Sequence, residues 1–383
     1  MAGIRKYKNK GEKKYSYEYR IRYKDPLTQE FKEKSRRGFT SGKEAQMAAA
    51  EEERRLLEGV EKAPISLKEF FKTWIQEYKK DTVRKNTMQQ YEYSIKNHIL
   101  PYFKNILLQD LKPIMYQKFL NHLTDQGYSK RTIEIVHSTM FGAFEKAVTL
   151  YKVDKNPCVG VTIKGKKQDG KVLYIDSKNI PHFLQEAYKY NYIYWIFFKV
   201  LIETGLRKGE AAALQWTDID LKNSTISVSK TLDFSAKDET ELFGDPKTYH
   251  SRRVIKISRT LTNDLHFHKK YQNQNKIALN DSYHHDLNLA LCRNDGNYMP
   301  KSSLFNAFSR ILKKAELPPI PIHCLRHTHA VLLLESGADM KYIQERLGHG
   351  SMQITADVYA HISEKIETDT IDKFEKYTKD ILK

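Results

Sequence analysis

The chain is poor in cysteine. Cys158, Cys292 and Cys324 stand far apart in 383 residues and form no CxxC pair. A disulfide framework and a cysteine zinc site are therefore disfavoured, and free thiols in a reducing compartment fit better. No apolar run is long enough to span a bilayer, and no signal-type apolar stretch follows the first residues. A cytoplasmic protein without a membrane partner is expected. Internal repeats and low-complexity tracts are absent as well. Acid is in short supply: 47 Asp+Glu against 65 Lys+Arg leave a net charge of +18. That imbalance points to a polyanion partner, nucleic acid or an anionic membrane face.

The charge is unevenly placed. Residues 1–62 carry +6, residues 63–170 carry +8 and residues 171–383 only +4, with +9 concentrated in residues 1–43. Charge spread over several segments, not one amphipathic helix, disfavours a membrane surface. At this length two or three domains are expected.

Residues 1–62 read as a small basic α+β unit. In Tyr15-Ser16-Tyr17-Glu18-Tyr19-Arg20-Ile21-Arg22-Tyr23 apolar and polar residues alternate, the period of a half-buried strand. Asp25-Pro26 marks a turn, and the segment around Arg36 and Arg37 returns as a second strand. Ser41-Gly42-Lys43-Glu44 has the form of a capping box and opens a helix to about Leu57. Basic strands on so small a core suit a groove-inserting DNA reader, with Arg20, Arg22, Arg36 and Arg37 as candidate contacts; a solvated basic arm is the alternative.

Residues 63–163 read as an all-α domain of four helices. Phe70, Phe71, Trp74, Ile75 and Tyr78 share one helical stripe, Tyr91, Ile95 and Ile99 a second, which Pro101 should end. Met115, Phe119 and Leu123 form a third stripe, and Ile133, Val136, Met140 and Phe144 a fourth. Lys85 and Thr87, and Ser129-Lys130-Arg131-Thr132, sit at helix starts, where phosphate contact and ordinary capping fit equally. Asn156-Pro157 closes the domain, and residues 164–171 form a basic, glycine-bearing linker. From residue 172 to 383 the pattern is mixed and mainly α, with a small antiparallel sheet from strands at Thr225–Ser229 and Arg253–Ile257.

The polar candidates in that last region are individually weak. Arg207 follows a glycine turn at a helix start and could simply pair with Glu210. Lys247 lies between the two strands near a hairpin turn. His323 and Arg326 are spaced i, i+3 on one helical face. His323 and His327 are spaced for a metal, but the Glu of an HExxH motif is missing and Arg326 would sit beside the cation, so no metal is expected. His349 follows the helix-ending Leu347-Gly348. Tyr359 is one of 24 tyrosines.

In order along the chain, these residues carry more. Thr204-Gly205-Leu206-Arg207-Lys208-Gly209-Glu210, Lys247, His323-Cys324-Leu325-Arg326-His327-Thr328-His329-Ala330, Leu347-Gly348-His349-Gly350 and Tyr359-Ala360-His361 together resemble the tyrosine recombinases, or phage-type integrases. The three-part layout is similar to integrases of temperate phages and conjugative transposons. The resemblance implies an N-terminal domain for arm-type sites, a helical domain for the core site and a catalytic domain. It also implies a homotetramer on double-stranded DNA, helped by excision or DNA-bending accessory proteins.

The implied reaction is strand cleavage and rejoining through a 3′-phosphotyrosyl link and a Holliday junction, without metal, ATP or other cofactor. Arg207 and Arg326 would hold the nonbridging oxygens, since planar guanidinium forks suit phosphate better than lysine does. The resemblance assigns His323 to proton transfer at the tyrosine, His349 to the phosphate, Lys247 to the leaving 5′-oxygen, Tyr359 to nucleophilic attack and Glu210 to orienting Arg207. Two rivals use the same fold, a type IB topoisomerase-like enzyme and a silent DNA-binding repressor. The N-terminal basic unit disfavours the first, and the filled catalytic positions disfavour the second. A helix from about Ser363 to Lys383, with Ile366, Ile371, Phe374 and Tyr377 along it, is expected to dock on a neighbouring subunit.

Overall fold

The computed structural model describes residues 3–8, 15–24, 30–57, 64–165, 172–236, 238–245, 252–348, 374–375, 378–379 and 381. The chain divides into two compact units, residues 1–169 and 170–383. The Asp25-Pro26 turn, most of the linker, Lys247, His349, Tyr359 and nearly all of the tail after Ser363 lie outside the described residues.

The first unit begins with an antiparallel sheet of β1 (Gly3–Tyr7), β2 (Ser16–Lys24) and β3 (Phe31–Phe39), in that order, and α1 (Gly42–Leu57). Tyr19 and Ile21 face inward with Phe39, Ala45 and Ala49, while Arg20 and Arg22 alternate to the other face. Cross-strand register pairs Glu18 with Arg37, Arg20 with Ser35 and Arg22 with Glu33. Arg37 therefore shares the open face with Arg20 and Arg22, and its Nε lies 2.6 Å from the buried Glu18 carboxylate. Arg36 sits opposite Tyr19 and so belongs to the other face. The register skips Gly38, a bulge residue at φ +96°, which glycine adopts without a Cβ penalty. Ser41 Oγ accepts from Glu44 N at 3.1 Å, but the Glu44 carboxylate reaches one residue further back than a capping box, to Thr40 N (2.9 Å) and Oγ1 (2.6 Å).

The helical part follows the apolar stripes. α2 (Leu67–Thr73) continues through a wider π-helical stretch, Trp74–Lys79. α3 (Lys85–Ser94) continues through a second, Ile95–Ile99, into α4 (Leu100–Phe103). Pro101 does not end this rod, which runs to Phe103: Leu100 N bonds Ile95 O, and Pro101 sits in the first turn of α4, where its missing N–H is tolerated. α5 (Pro113–Asp125) and α6 (Lys130–Thr149) complete a core that includes Phe71, Trp74, Ile99, Tyr116, Phe119 and Phe144. Asn156 fastens the chain to α6 by donating to Phe141 O (3.3 Å) and Glu145 Oε1 (2.7 Å). Thr162 then exchanges two hydrogen bonds with the Gln117 side chain (2.8 and 2.9 Å), so the segment after Pro157 stays attached to the helices.

The second unit is built around α8 (Tyr192–Thr204), which is preceded by α7 (Ile180–Tyr190) and followed by α9 (Lys208–Ala212). Ile193, Ile196, Phe197, Phe198, Val200, Leu201 and Ile202 are all buried, as an α-helix apolar on every side must be. Strands β4 (Ile219–Asp220), β5 (Thr225–Val228) and β8 (Arg253–Lys256) form one antiparallel sheet, and β6 (Thr231–Leu232) with β7 (Phe243–Gly244) a second. α10 (Arg259–Leu279), α11 (Lys301–Lys314), α12 (Cys324–Glu335) and α13 (Met340–Leu347) follow. Each large side chain buried here contributes on the order of 2 kcal/mol, so truncating Phe197, wholly enclosed on α8, would cost roughly 3–5 kcal/mol. No helix among the described residues is long and apolar enough to cross a membrane.

Candidate active site

The site gathers where α8 ends, α9 begins and α13 stops. Gly205 closes α8 in the left-handed conformation (φ +66°), donating its N–H to Leu201 O at 2.9 Å. A Cβ at this position would lie 2.4 Å from Leu347 Cδ2 and 2.6 Å from His329 Cδ2, so the close approach also requires glycine. The chain turns there and delivers Arg207 at the N-cap of α9.

Arg207 is held at both ends. Its backbone N–H donates to Glu210 Oε2 (3.0 Å) and its Nη1 to Glu210 Oε1 (2.6 Å), while Nη2 donates to Gly348 O (3.2 Å). The buried guanidinium of Arg326, on the first turn of α12, donates to Gly205 O at 2.8 Å and to Leu347 O. Two guanidiniums from separate helices thus converge on consecutive carbonyls at the end of α13. Burial first, then the charge of Arg207, pushes Arg326 down to about 9, which leaves it cationic at neutral pH. Paired cations, one buried and one partly open to solvent, held in a preorganised setting suit an anionic group in which charge builds.

Glu210 anchors this arrangement through a residue that the motif did not single out. Arg253, the first residue of β8, donates from Nη2 to Glu210 Oε2 (3.0 Å) and from Nε to Arg346 O (2.7 Å). The two side chains are 7% and 3% exposed. Burial opposes ionisation of Glu210, but Arg253 and then Arg207 outweigh it and hold the carboxyl below its ordinary range. The sequence carried a signal for Arg253: strand alternation puts it on the same side as Ile255 and Ile257, the buried residues, with Val254 outward. An arginine on the inward face of a strand calls for a buried partner.

His329 was also missed as an individual residue. Its Nδ1 donates to Ile202 O (2.8 Å) and its Nε2 accepts from Arg346 Nε (3.0 Å), so the ring is neutral with the proton on Nδ1. Burial, then the Arg346 charge, pushes it down to about 3. Arg346 continues to Lys256 O (2.8 Å), tying α13 to β8.

His323 and Arg326 lie one turn apart, but the first is exposed and the second buried. Partial desolvation by its neighbours, then the charge of Lys208, lowers His323 although the residue keeps an exposed face. His327, 5.7 Å away ring to ring, is pushed down to about 4 by burial, then by His323 and Arg326. Among the described residues no group of three or more His, Cys, Asp or Glu could hold a metal ion. Of the candidates, the structure brings Arg207, Glu210 and Arg326 into one network, with His323 at its edge. Lys247, His349 and Tyr359 lie outside the described residues.

The candidate DNA contacts divide between two places in the first unit. Arg20, Arg22 and Arg37 are exposed on the sheet's open face, and Arg36 is exposed on the opposite one. Lys85 and Thr87 are the first and third residues of α3, whose N-cap is Arg84 and makes no side-chain cap. Lys130 and Arg131 begin α6, where Ser129 Oγ accepts from Thr132 N at 3.2 Å, and Arg131 lies 3.4 Å from Glu134.

Two family models match the chain: the phage integrase family over residues 174–365, and the N-terminal SAM-like domain of phage integrases over residues 66–124. The ICEBs1 integrase of Bacillus subtilis is 30% identical over 305 residues, covering 76% of this chain and 77% of that protein. A tyrosine recombinase XerC-like protein of Caldanaerobacter subterraneus is 28% identical over 327 residues, 80% of this chain and 82% of its own length. Among solved structures, the Tn1549 transposon integrase in complex with transposon right end DNA superposes with a TM-score of 0.66 at 19% identity, over 81% of this chain and 99% of that one.

Proposed function

Because this chain belongs to the phage integrase family, we propose that it integrates and excises a mobile DNA element, with Tyr359 as the nucleophile. It is a tyrosine recombinase, an enzyme that cleaves and rejoins DNA through a tyrosine-linked intermediate without ATP. The observation that carries the assignment of residues is the convergence of Arg207 and Arg326 on the end of α13, with Glu210 buried behind Arg207.

Attack on a phosphodiester forms a pentacoordinate centre with extra negative charge on its nonbridging oxygens. Arg207 and Arg326 hold those oxygens, and the Glu210–Arg253 pair keeps Arg207 from swinging to solvent. Tyr359 attacks phosphorus and the 5′-oxygen leaves with a proton from Lys247. His323 moves the proton at the tyrosine, and His349, next after Gly348 in sequence, bonds the phosphate. The reverse attack by a 5′-hydroxyl of the partner strand restores the backbone without consuming an energy source.

Residues 1–62 read arm-type sites through the Arg20, Arg22 and Arg37 face, residues 63–163 grip the core site, and residues 172–383 carry the reaction. The working assembly is a tetramer on two duplexes, and the protein acts in the cytoplasm with excision and DNA-bending factors. A direct test is strand exchange between two labelled core-site duplexes, one of them the candidate attachment site, without ATP. Recombinant products are expected. Relaxation of supercoils without any exchange between duplexes would favour a type IB topoisomerase-like enzyme instead.

A further inference from the structure

Two lysines beside the site have no role in the chemistry above. Lys208 opens α9, directly after Arg207, and Lys301 opens α11. The Lys208 ammonium lies 4.3 Å from the Phe305 ring centroid and 5.0 Å from that of Phe234. Burial and then the charge of Lys301 hold Lys208 below the ordinary lysine range, and the charge of Lys208 in turn helps to lower His323. The two ammoniums and the His323 imidazole therefore share one field. Among the described residues neither lysine has a carboxylate or hydrogen-bond partner.

Beside them opens a cleft of about 480 Å³ lined by Phe234, Tyr298, Pro300, Lys301, Ser302 and Phe305. Cations set close together without an anion repel one another, and a phosphate between them would relieve that repulsion. Aromatic walls favour a flat, weakly hydrated group over a free ion. A nucleotide within a DNA strand offers both properties together, an anionic diester joined to a sugar and a base.

We propose that this cleft is the subsite for the nucleotide flanking the scissile phosphate. Lys208 and Lys301 hold its phosphodiester, and Phe234 and Phe305 receive its sugar and base face. The proposal rests on the reading that the phosphate under attack sits at Arg207. A protein segment that is both acidic and apolar is the competing occupant.

The test uses the full-length protein and nicked core-site DNA in which single methylphosphonates replace, one at a time, the phosphates around the scissile bond. Wild-type adduct formation should slow about tenfold when one flanking phosphate is neutralised, the loss expected for a charged hydrogen bond. The Lys208→Gln, Lys301→Gln double variant should be about tenfold slower on natural DNA and indifferent to that one methylphosphonate. Lys208→Arg should restore the sensitivity, which a general folding defect would not allow. An unchanged methylphosphonate profile in the double variant overturns the proposal. So does full cleavage with loss of the four-subunit synapse, which would assign the cleft to a protein segment. A wild-type protein that forms no adduct on any core-site DNA would sink the active-site reading itself, before the subsite is in question.

Discussion

Replacing Arg253 by methionine tests the buried base of the site. Methionine keeps the stem packed but removes the counter-ion of a carboxylate whose side chain is 3% exposed, and leaves Arg346 O without its donor. Breaking one side of a buried ion pair costs roughly 3–5 kcal/mol. Arg207 still bonds Glu210, but its side chain is 36% exposed and its compensation is screened. A loss of about 3 kcal/mol is therefore expected, equivalent to roughly 10 °C in the melting of a domain of about 200 residues. The sign with pH follows from Glu210. Its folded pKa is lowered, so the pair contributes stability above the unfolded glutamate value of about 4.3 and loses it as pH falls through the folded one. In the variant burial is less opposed, the carboxyl takes up a proton more readily, and the gap from wild type narrows towards pH 4. Urea unfolding followed through Trp195 and Trp216 at pH 7 and pH 4 measures both. A loss under about 1 kcal/mol at pH 7, or an equal loss at both pH values, would refute the reasoning.

Three further outcomes follow from the same geometry. Arg207→Lys should keep DNA affinity within a few-fold but slow cleavage by about 100- to 1,000-fold, because an ammonium cannot span Glu210 and a phosphate as a fork does; single-turnover cleavage measures it. Gly205→Ala combines a positive φ with two contacts under 3 Å, one of them to an imidazole fixed by two hydrogen bonds, and should destabilise by about 3 kcal/mol in thermal unfolding. Replacing Arg20 and Arg22 together by alanine, and leaving Arg37 in place as the partner of the buried Glu18, should weaken arm-type binding and flatten its salt dependence by about one unit per lost phosphate contact, with core-site cleavage preserved.

Much of this molecule was legible in its sequence because periodicity reports burial. The Tyr19/Ile21 alternation, the stripe through Phe70, Phe71 and Trp74, and the β5 and β8 pairing all come from residues that must hide apolar surface. Pro101 misled because a proline is read as a stop, whereas the first turn of α4 takes it in without a break. Arg36 lies on the opposite face of the sheet from Arg20, Arg22 and Arg37 because neighbouring strand residues face opposite ways, a placement that the cross-strand register shows and the run of basic residues does not. Arg207 and Arg326 were found through the order of motifs rather than any local property. His329 was passed over because its contact with Ile202 spans 127 positions, which no local pattern encodes; strand alternation does mark Arg253 as inward-facing, but not that its partner Glu210 lies 43 positions away.

The central claim is that Tyr359 attacks the phosphodiester. Nicked suicide DNA carrying a core site traps the covalent intermediate, and peptide mapping of the adduct locates the linked tyrosine. The wild-type protein should give a 3′-phosphate linked to Tyr359, and Tyr359→Phe should give none. An adduct that persists in the Phe variant, for instance on the exposed Tyr342 whose hydroxyl accepts from Arg346 Nη1 at 3.4 Å, would contradict it.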